Sequence, residues 1–145
     1  MFVVDTNILL YAADQDSSGH TRCRTLLQNW RQQPSPWYLT WGIIYEFLRV
    51  ATHPNVFREP FKISEAWEFI EALLASPSLG ILSETERHRQ IAGAMMKSLS
   101  HLSGNLVFDL HIAILMKEHG IKTIYTRDAD FHRFSSIEVV DPLQK

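Results

Sequence analysis

The chain opens on Phe2-Val-Val, three apolar, strand-favouring residues that stop at Asp5. A short run without alternation predicts a strand buried on both faces, as in a parallel sheet. Ile8 to Ala13 continue as a short apolar helix ending near Asp14. Cys23, Leu26, Leu27 and Trp30 then stand at the i, i+3, i+4, i+7 spacing of one helix face. Ser17 or Ser18 can cap that helix, and Pro34 and Pro36 break it. Trp37 to Leu39 read as a second strand, and Thr40 stands where it can cap a helix with the stripe Ile44, Phe47, Leu48 and Ala51. Glu46 lies beside that stripe. His53 to Pro60 holds two prolines and an asparagine and reads as loop. Ser64 opens a third long helix, with Ala66, Phe69, Ile70, Leu73 and Leu74 on one face and Glu65, Glu68 and Glu71 on its rim. Ser76-Pro77-Ser78 stops it, and Leu79 to Leu82 form a short strand. A fourth long helix spans about Thr85 to Leu102, with Ile91, Ala92, Met95, Leu99 and Leu102 inward and Gly104 as its C′ residue. Another covers about Leu106 to Glu118, closed by His119 and Gly120. Lys122 to Tyr125 and about Ile137 to Val140 are the last two strands.

Strands alternating with helices imply right-handed crossovers and a mainly parallel sheet covered on both faces, an α/β fold. Residues 1–145 fit one domain, with no internal repeat and no linker to divide them. The net charge of −2 means that any nucleic-acid contact must come from a local patch. The single cysteine, Cys23, sits on an apolar stripe and leaves no disulfide framework or Cys-rich metal site. No apolar run reaches the length of a membrane span, and no basic leader precedes Phe2, so a cytoplasmic protein is expected.

Charge placement adds chemistry to this frame. Asp5 follows strand one, while Asp128 and Asp130 follow strand four. Open α/β sheets bind ligands outside the carboxyl ends of their strands, so two strands bring acids to one sheet edge. Asp109 sits among Phe108, Leu110, Ile112 and Ala113, where a carboxylate needs a partner, a hydrogen bond or a metal. Each acid also has a plain structural reading: Asp5 as a helix cap, Asp109 as a first-turn charge on a helix dipole, Glu46 as a surface partner of Arg49. Grouped carboxylates repel and raise each other's pKa values, and a cation relieves them. Oxygen-only clusters suit Mg²⁺ or Mn²⁺. The seven histidines are scattered, with no H-x-x-x-H pair; His111 draws notice because it lies two residues from Asp109.

Asp5-Thr-Asn-Ile after an N-terminal strand, Glu46 in the second main helix, Asp109 in Phe-Asp-x-x-Ile-Ala, and Thr126-x-Asp128-x-Asp130-Phe131 together resemble the PIN-domain nucleases. The resemblance is closest to the VapC-type toxins of bacterial toxin–antitoxin pairs and runs over essentially the whole chain. Arg49-Val-Ala-Thr-His-Pro-Asn-Val-Phe and Asp109-Leu-His111 also look like one VapC subgroup. The resemblance implies a three-layer α/β/α fold and an endoribonuclease that cleaves RNA phosphodiester bonds with a Mg²⁺- or Mn²⁺-activated water. It implies inhibition by a VapB-like antitoxin, and a homodimer. By position, Asp5, Glu46, Asp109 and Asp128 form the acidic centre, with Asp5 and Asp109 foremost as metal ligands and Asp130 as a further candidate. Thr6 and Asn7 would orient Asp5 through their side chains.

Two other folds cluster acids in this way. A receiver domain needs an Asp after a middle strand and a Lys after a late one, where this chain has Leu82-Ser83 and Thr126-Arg127. A haloacid-dehalogenase-type phosphatase needs Asp at position 7, which is Asn. A PIN module that acts only through protein partners is the remaining alternative. Arg127, adjacent to the acids, is the first choice for a phosphate contact, with a surface ion pair as its other reading. Trp37, Trp41, Trp67 and Phe131 are read as core.

Overall fold

The computed structural model describes residues Met1 to Lys145 throughout. Five strands, β1 (Phe2–Val4), β2 (Trp37–Thr40), β3 (Leu79–Leu82), β4 (Thr123–Tyr125) and β5 (Glu138–Val140), form one sheet in the order β3-β2-β1-β4-β5. Every neighbouring pair is parallel; Val3 faces Tyr38 of β2 on one side and Ile124 of β4 on the other. Six α-helices connect the strands: α1 (Thr6–Ala13), α2 (His20–Gln32), α3 (Trp41–Ala51), α4 (Ile63–Leu74), α5 (His88–Ser98) and α6 (Leu106–Glu118). A short 3₁₀ helix covers Ala129–Arg133.

From β1 the chain steps outward to β2 and β3, then returns across to β4 and β5. Right-handed crossovers in opposite directions put α1 to α4 on one face and α5 and α6 on the other. The packing agrees: α1 lies against α2 and α3, α3 against α4, and α5 against α6. The result is a three-layer α/β/α sandwich. Val3 and Val4 of β1 are fully buried at its centre. Leu110 and Ile112 through Met116 of α6 are all buried too, so α6 is apolar nearly all round instead of striped. No helix is long and apolar enough to cross a membrane.

Several boundaries differ from the sequence expectation, each for a local reason. Helix α1 starts at Thr6, not Ile8, because Asp5 caps it. Neither Ser17 nor Ser18 caps α2; the Ser17 hydroxyl accepts from the Gly19 N–H within a turn, and the helix begins at His20. Thr40 does cap α3, accepting from the Ile43 N–H at 3.1 Å. Helix α4 begins at Ile63, one residue before Ser64, with Glu65 accepting from the Lys62 N–H. Helix α5 is shorter than expected at both ends: Thr85 is diverted to the carboxylate of Glu118, and the C-cap is Leu99. Gly104, at φ +61°, therefore lies in the turn before α6 and is not the C′ residue of α5. Gly120, at φ +68°, does end α6, with the Ile121 N–H on Met116 O and the Gly120 N–H on Lys117 O. Trp37 and Phe131 are buried as expected, but Trp41 and Trp67 are exposed, since each falls on the solvent side of its helix.

Candidate functional site

The parallel pairing of β1 with β4 continues one residue past the strands: the Asp5 N–H donates to Tyr125 O at 3.0 Å. Asp5 and Thr126 are thereby set side by side at the carboxyl ends of two adjacent strands. The chain leaves these strands in opposite directions, toward β2 and toward β5, which opens the crevice where α/β sheets bind ligands.

Asp5 is 6% exposed, and its carboxylate is held by three donors. Oδ1 accepts from the Thr6 N–H at 2.8 Å; Oδ2 accepts from Thr126 Oγ1 at 2.7 Å and from Asn7 Nδ2 at 3.1 Å. Thr126 is fully buried, and its hydroxyl also accepts from Asn7 Nδ2 at 3.0 Å and from the Asp128 N–H at 2.9 Å. Asn7 Oδ1 accepts from the Arg127 N–H at 3.2 Å. Asp128 in turn caps the 3₁₀ helix through the Asp130 N–H at 2.9 Å. One closed set of hydrogen bonds thus fixes the loop after β4 to the end of β1.

The remaining acids arrive from helices on both faces. Thr6 Oγ1 donates to Glu46 Oε2 at 3.1 Å, which ties α3 to the edge of the centre. Asp109, in the first turn of α6, comes from the opposite layer. One carboxylate oxygen from each of Asp109, Asp128 and Asp130 lies within 4.8 Å of the others.

Concentrated negative charge in a poorly hydrated crevice shows in the acidities. Burial pushes the Asp5 carboxyl up to about 6, against the hydrogen bonds from Thr126 and Thr6, with smaller upward pushes from Glu46 and Asp128. Asp109 is pushed up to about 7, by burial first and then by Asp128, Asp5, Asp130 and Glu46. Mutual repulsion, expected from the grouping of charges, contributes less here than loss of solvent. A set of oxygen donors that resists ionising when alone is the donor chemistry of a hard divalent cation, so these residues fit Mg²⁺ or Mn²⁺.

The PIN domain family matches residues 2–137. The chain belongs to the PIN-domain family, and within it to the VapC type. Ribonuclease VapC48 of Mycobacterium tuberculosis is 32% identical over 142 residues, covering 95% of this chain and 94% of that protein. Ribonuclease VapC43 of the same species is 34% identical over 143 residues, covering 99% and 96%. Among solved structures, VapBC2 from Rickettsia felis bound to a DNA fragment from its promoter superposes with a TM-score of 0.68 at 16% identity, covering 96% of both chains. The sarcin-ricin loop cleaving toxin VapC20 of M. tuberculosis gives 0.65 at 16% identity, covering 92% of this chain and 94% of that one.

In this PIN domain, then, Asp5, Glu46, Asp109, Asp128 and Asp130 gather around one crevice. Asn7 reaches Asp5 through its side chain. Thr6 reaches it only through its backbone, and its hydroxyl serves Glu46 instead. Arg127 turns its guanidinium to Asp141, with Nε 3.3 Å from Oδ2, in a partly exposed ion pair. Glu46 also has its surface partner, Arg49, at a loose 4.0 Å. His111 pairs with Glu84 at 2.8 Å and is not grouped with the acids of the centre. Thr126 is the residue that sequence reasoning gave no role. Its signal was a hydroxyl at the end of an apolar strand, where a buried polar group needs partners.

Proposed function

We propose that this protein is a metal-dependent endoribonuclease, the toxin of a type II toxin–antitoxin pair acting in the cytoplasm. The observation that carries the proposal is the convergence of five carboxylates, from two strand ends and two helices, with two of them held well above their ordinary pKa values. The names of its relatives support it, since VapC48 and VapC43 are both called ribonucleases.

Asp5, Asp109 and Asp128 would hold Mg²⁺ or Mn²⁺, with Asp130 and Glu46 completing the acidic wall. When bound, such a cation supplies a lowered pKa for an attacking water and positive charge against the phosphate. The protein's part is orientation. Asp5 is locked by Thr6, Asn7 and Thr126, and Asp128 by its capping bond. Glu46 leaves Oε1 without a hydrogen bond on a half-exposed side chain and would take a proton from the incoming water. Arg49, only loosely paired, and Arg127, which pairs through Nε alone, present guanidinium nitrogens to an RNA backbone.

Apolar residues stand exposed beside these acids: Tyr45 at 68% next to Glu46 and Phe108 at 71% next to Asp109, with Trp41 and Val107 near them in sequence. Such residues fit a homodimer interface bordering the site. Between α1, α2 and α4 a cleft of about 330 Å³, lined by Leu27, Arg31, Phe61, Phe69 and Leu73, fits an apolar segment of a VapB-like antitoxin. The solved VapBC complex is the precedent for such a pair.

Purified protein is expected to cut RNA in Mg²⁺ or Mn²⁺ and to stop in EDTA. Asp5→Asn and Asp109→Asn should each remove most of the rate while circular dichroism stays native. A doubly substituted protein that cuts as fast as wild type would place the chemistry elsewhere.

A further inference from the structure

A second group of ligating side chains lies outside the acidic centre, between the start of α5 and the middle of α6. Glu84, His88 and His111 each offer one ligand atom, and these atoms all lie within 4.8 Å of one another. His111 Nε2 is 2.8 Å from Glu84 Oε1, and the two imidazoles meet edge to face with centroids 5.8 Å apart. Behind them, His88 Nδ1 is 2.6 Å from Oε2 of Glu118, whose side chain is wholly buried. Oε1 of the same carboxylate accepts from the Thr85 N–H and hydroxyl at 2.9 and 2.7 Å. A buried carboxylate on Nδ1 fixes the ring and its tautomer and leaves Nε2 as the only free nitrogen of His88. Metal-ligating histidines are oriented by such a partner.

A purely structural ion pair between α5 and α6 would be complete with His88 and Glu118. It gives no reason for a second imidazole and a second carboxylate to come within ligand distance of the same ring. We propose that Glu84, His88 and His111 bind a borderline divalent transition ion of the zinc type, with Glu118 orienting His88 from behind. Two imidazoles and one carboxylate suit Zn²⁺ and leave one position of a tetrahedron open, whereas the all-oxygen acidic centre suits a harder ion. All three side chains reach solvent, so an ion can enter without unfolding the protein. His111 follows Asp109 by two residues on α6, so an ion here would fasten that helix to the start of α5 without entering the acidic centre.

The test is a metal titration of the whole protein in millimolar Mg²⁺, added to fill the acidic centre on the proposed reading of that site. One equivalent of Co²⁺ should give the strong visible absorption of a four- or five-coordinate ion with nitrogen ligands. Zn²⁺ should bleach it and further Mg²⁺ should not. His88→Ala and His111→Ala should each weaken Zn²⁺ binding by about 100-fold or more, and Glu118→Gln by about 10- to 100-fold. Asp128→Asn, in the acidic centre, should leave Zn²⁺ affinity unchanged. The proposal is overturned by a weak octahedral Co²⁺ spectrum that Mg²⁺ displaces, or by no binding below about a millimolar. It is equally overturned by Zn²⁺ affinity that survives both histidine substitutions or disappears in Asp128→Asn. The spectrum is read on wild type, so it decides the matter even if a histidine variant fails to fold, and none of these readings depends on RNA cleavage.

Discussion

Thr126 illustrates how much of a site can rest on one hydroxyl. It donates to Asp5 and accepts from Asn7 and the Asp128 N–H, so no part of its hydrogen-bonding capacity is idle. Thr126→Val keeps the shape and strands three polar groups in a buried crevice. It should destabilise the fold by about 1–3 kcal/mol in urea titration and depress RNA cleavage, while Thr126→Ser recovers most of both. Asp5 and Asp128 were legible in the sequence because each ends an apolar strand, and Asp109 because it interrupts an apolar run. The role of Thr126 was not legible, because it depends on the register that sets Val4 against Tyr125. The partnership of Arg127 with Asp141 was hidden for the same kind of reason, since it joins two segments across the β4–β5 edge. The raised acidities carry a pH signature. Asp5 and Asp109 titrate in the folded protein near 6 and 7, above the ordinary 3.8, so the native state holds their protons more tightly than the unfolded chain. Stability present below about pH 4 is therefore lost as pH rises through 6 to 7, by on the order of 3 kcal/mol for buried Asp5. Asp109→Asn, melted in EDTA, should match wild type near pH 4 and exceed it at pH 7. Mn²⁺ at a hundredfold excess over its Kd should then raise wild type by about 2.7 kcal/mol and the variant by much less. A wild type at least as stable as the variant at pH 7 in EDTA would show that these acids are not strained by their crevice.

The elements were most legible where one local signal fixed them. Thr40 caps α3 because its hydroxyl meets the Ile43 N–H, a contact three residues long. The extent of α5 was not legible because Thr85 answers to Glu118, thirty-three residues away. Glu118 itself hid in a helix that is buried on nearly every side, where a lone carboxylate leaves no trace in the apolar pattern. Burial raises its carboxyl, and the hydrogen bonds from Thr85 and His88 outweigh that and bring it below the ordinary range. The end of α6 gives a clean test of backbone conformation. A Cβ on Gly120 would meet nothing within 4 Å, so Gly120→Ala should cost about 1–2 kcal/mol through its positive φ alone. A denaturant midpoint measures this, and an unchanged midpoint would mean that the turn relaxes freely.

At the scale of the whole molecule, alternation of strands and helices announced a parallel α/β sheet, but not the order of its strands. That order depends on where the long crossover through α5 and α6 lands, and it sets β4 against β1 rather than beyond β3. Dimerisation belongs to this scale. Light scattering at high micromolar concentration should show a dimer, and Phe108→Asp, which charges the most exposed apolar residue beside the acidic centre, should shift it to monomer; a monomer in wild type would count against the interface. The hydrogen bond from Thr126 to Asp5 spans 121 residues of sequence, and Asp109, Asp128 and Asp130 all belong to the last quarter of the chain. Contacts this distant form late, since a long loop must close before they reward the closure. A ribosome that has made the first hundred residues has therefore made three of the five strands and five of the six α-helices, but only Asp5 and Glu46 of the five acids. The proposed nuclease gains its full acidic centre only once the segment from α6 to the 3₁₀ helix has docked, and a chain broken off before β4 lacks Asp128 and Asp130.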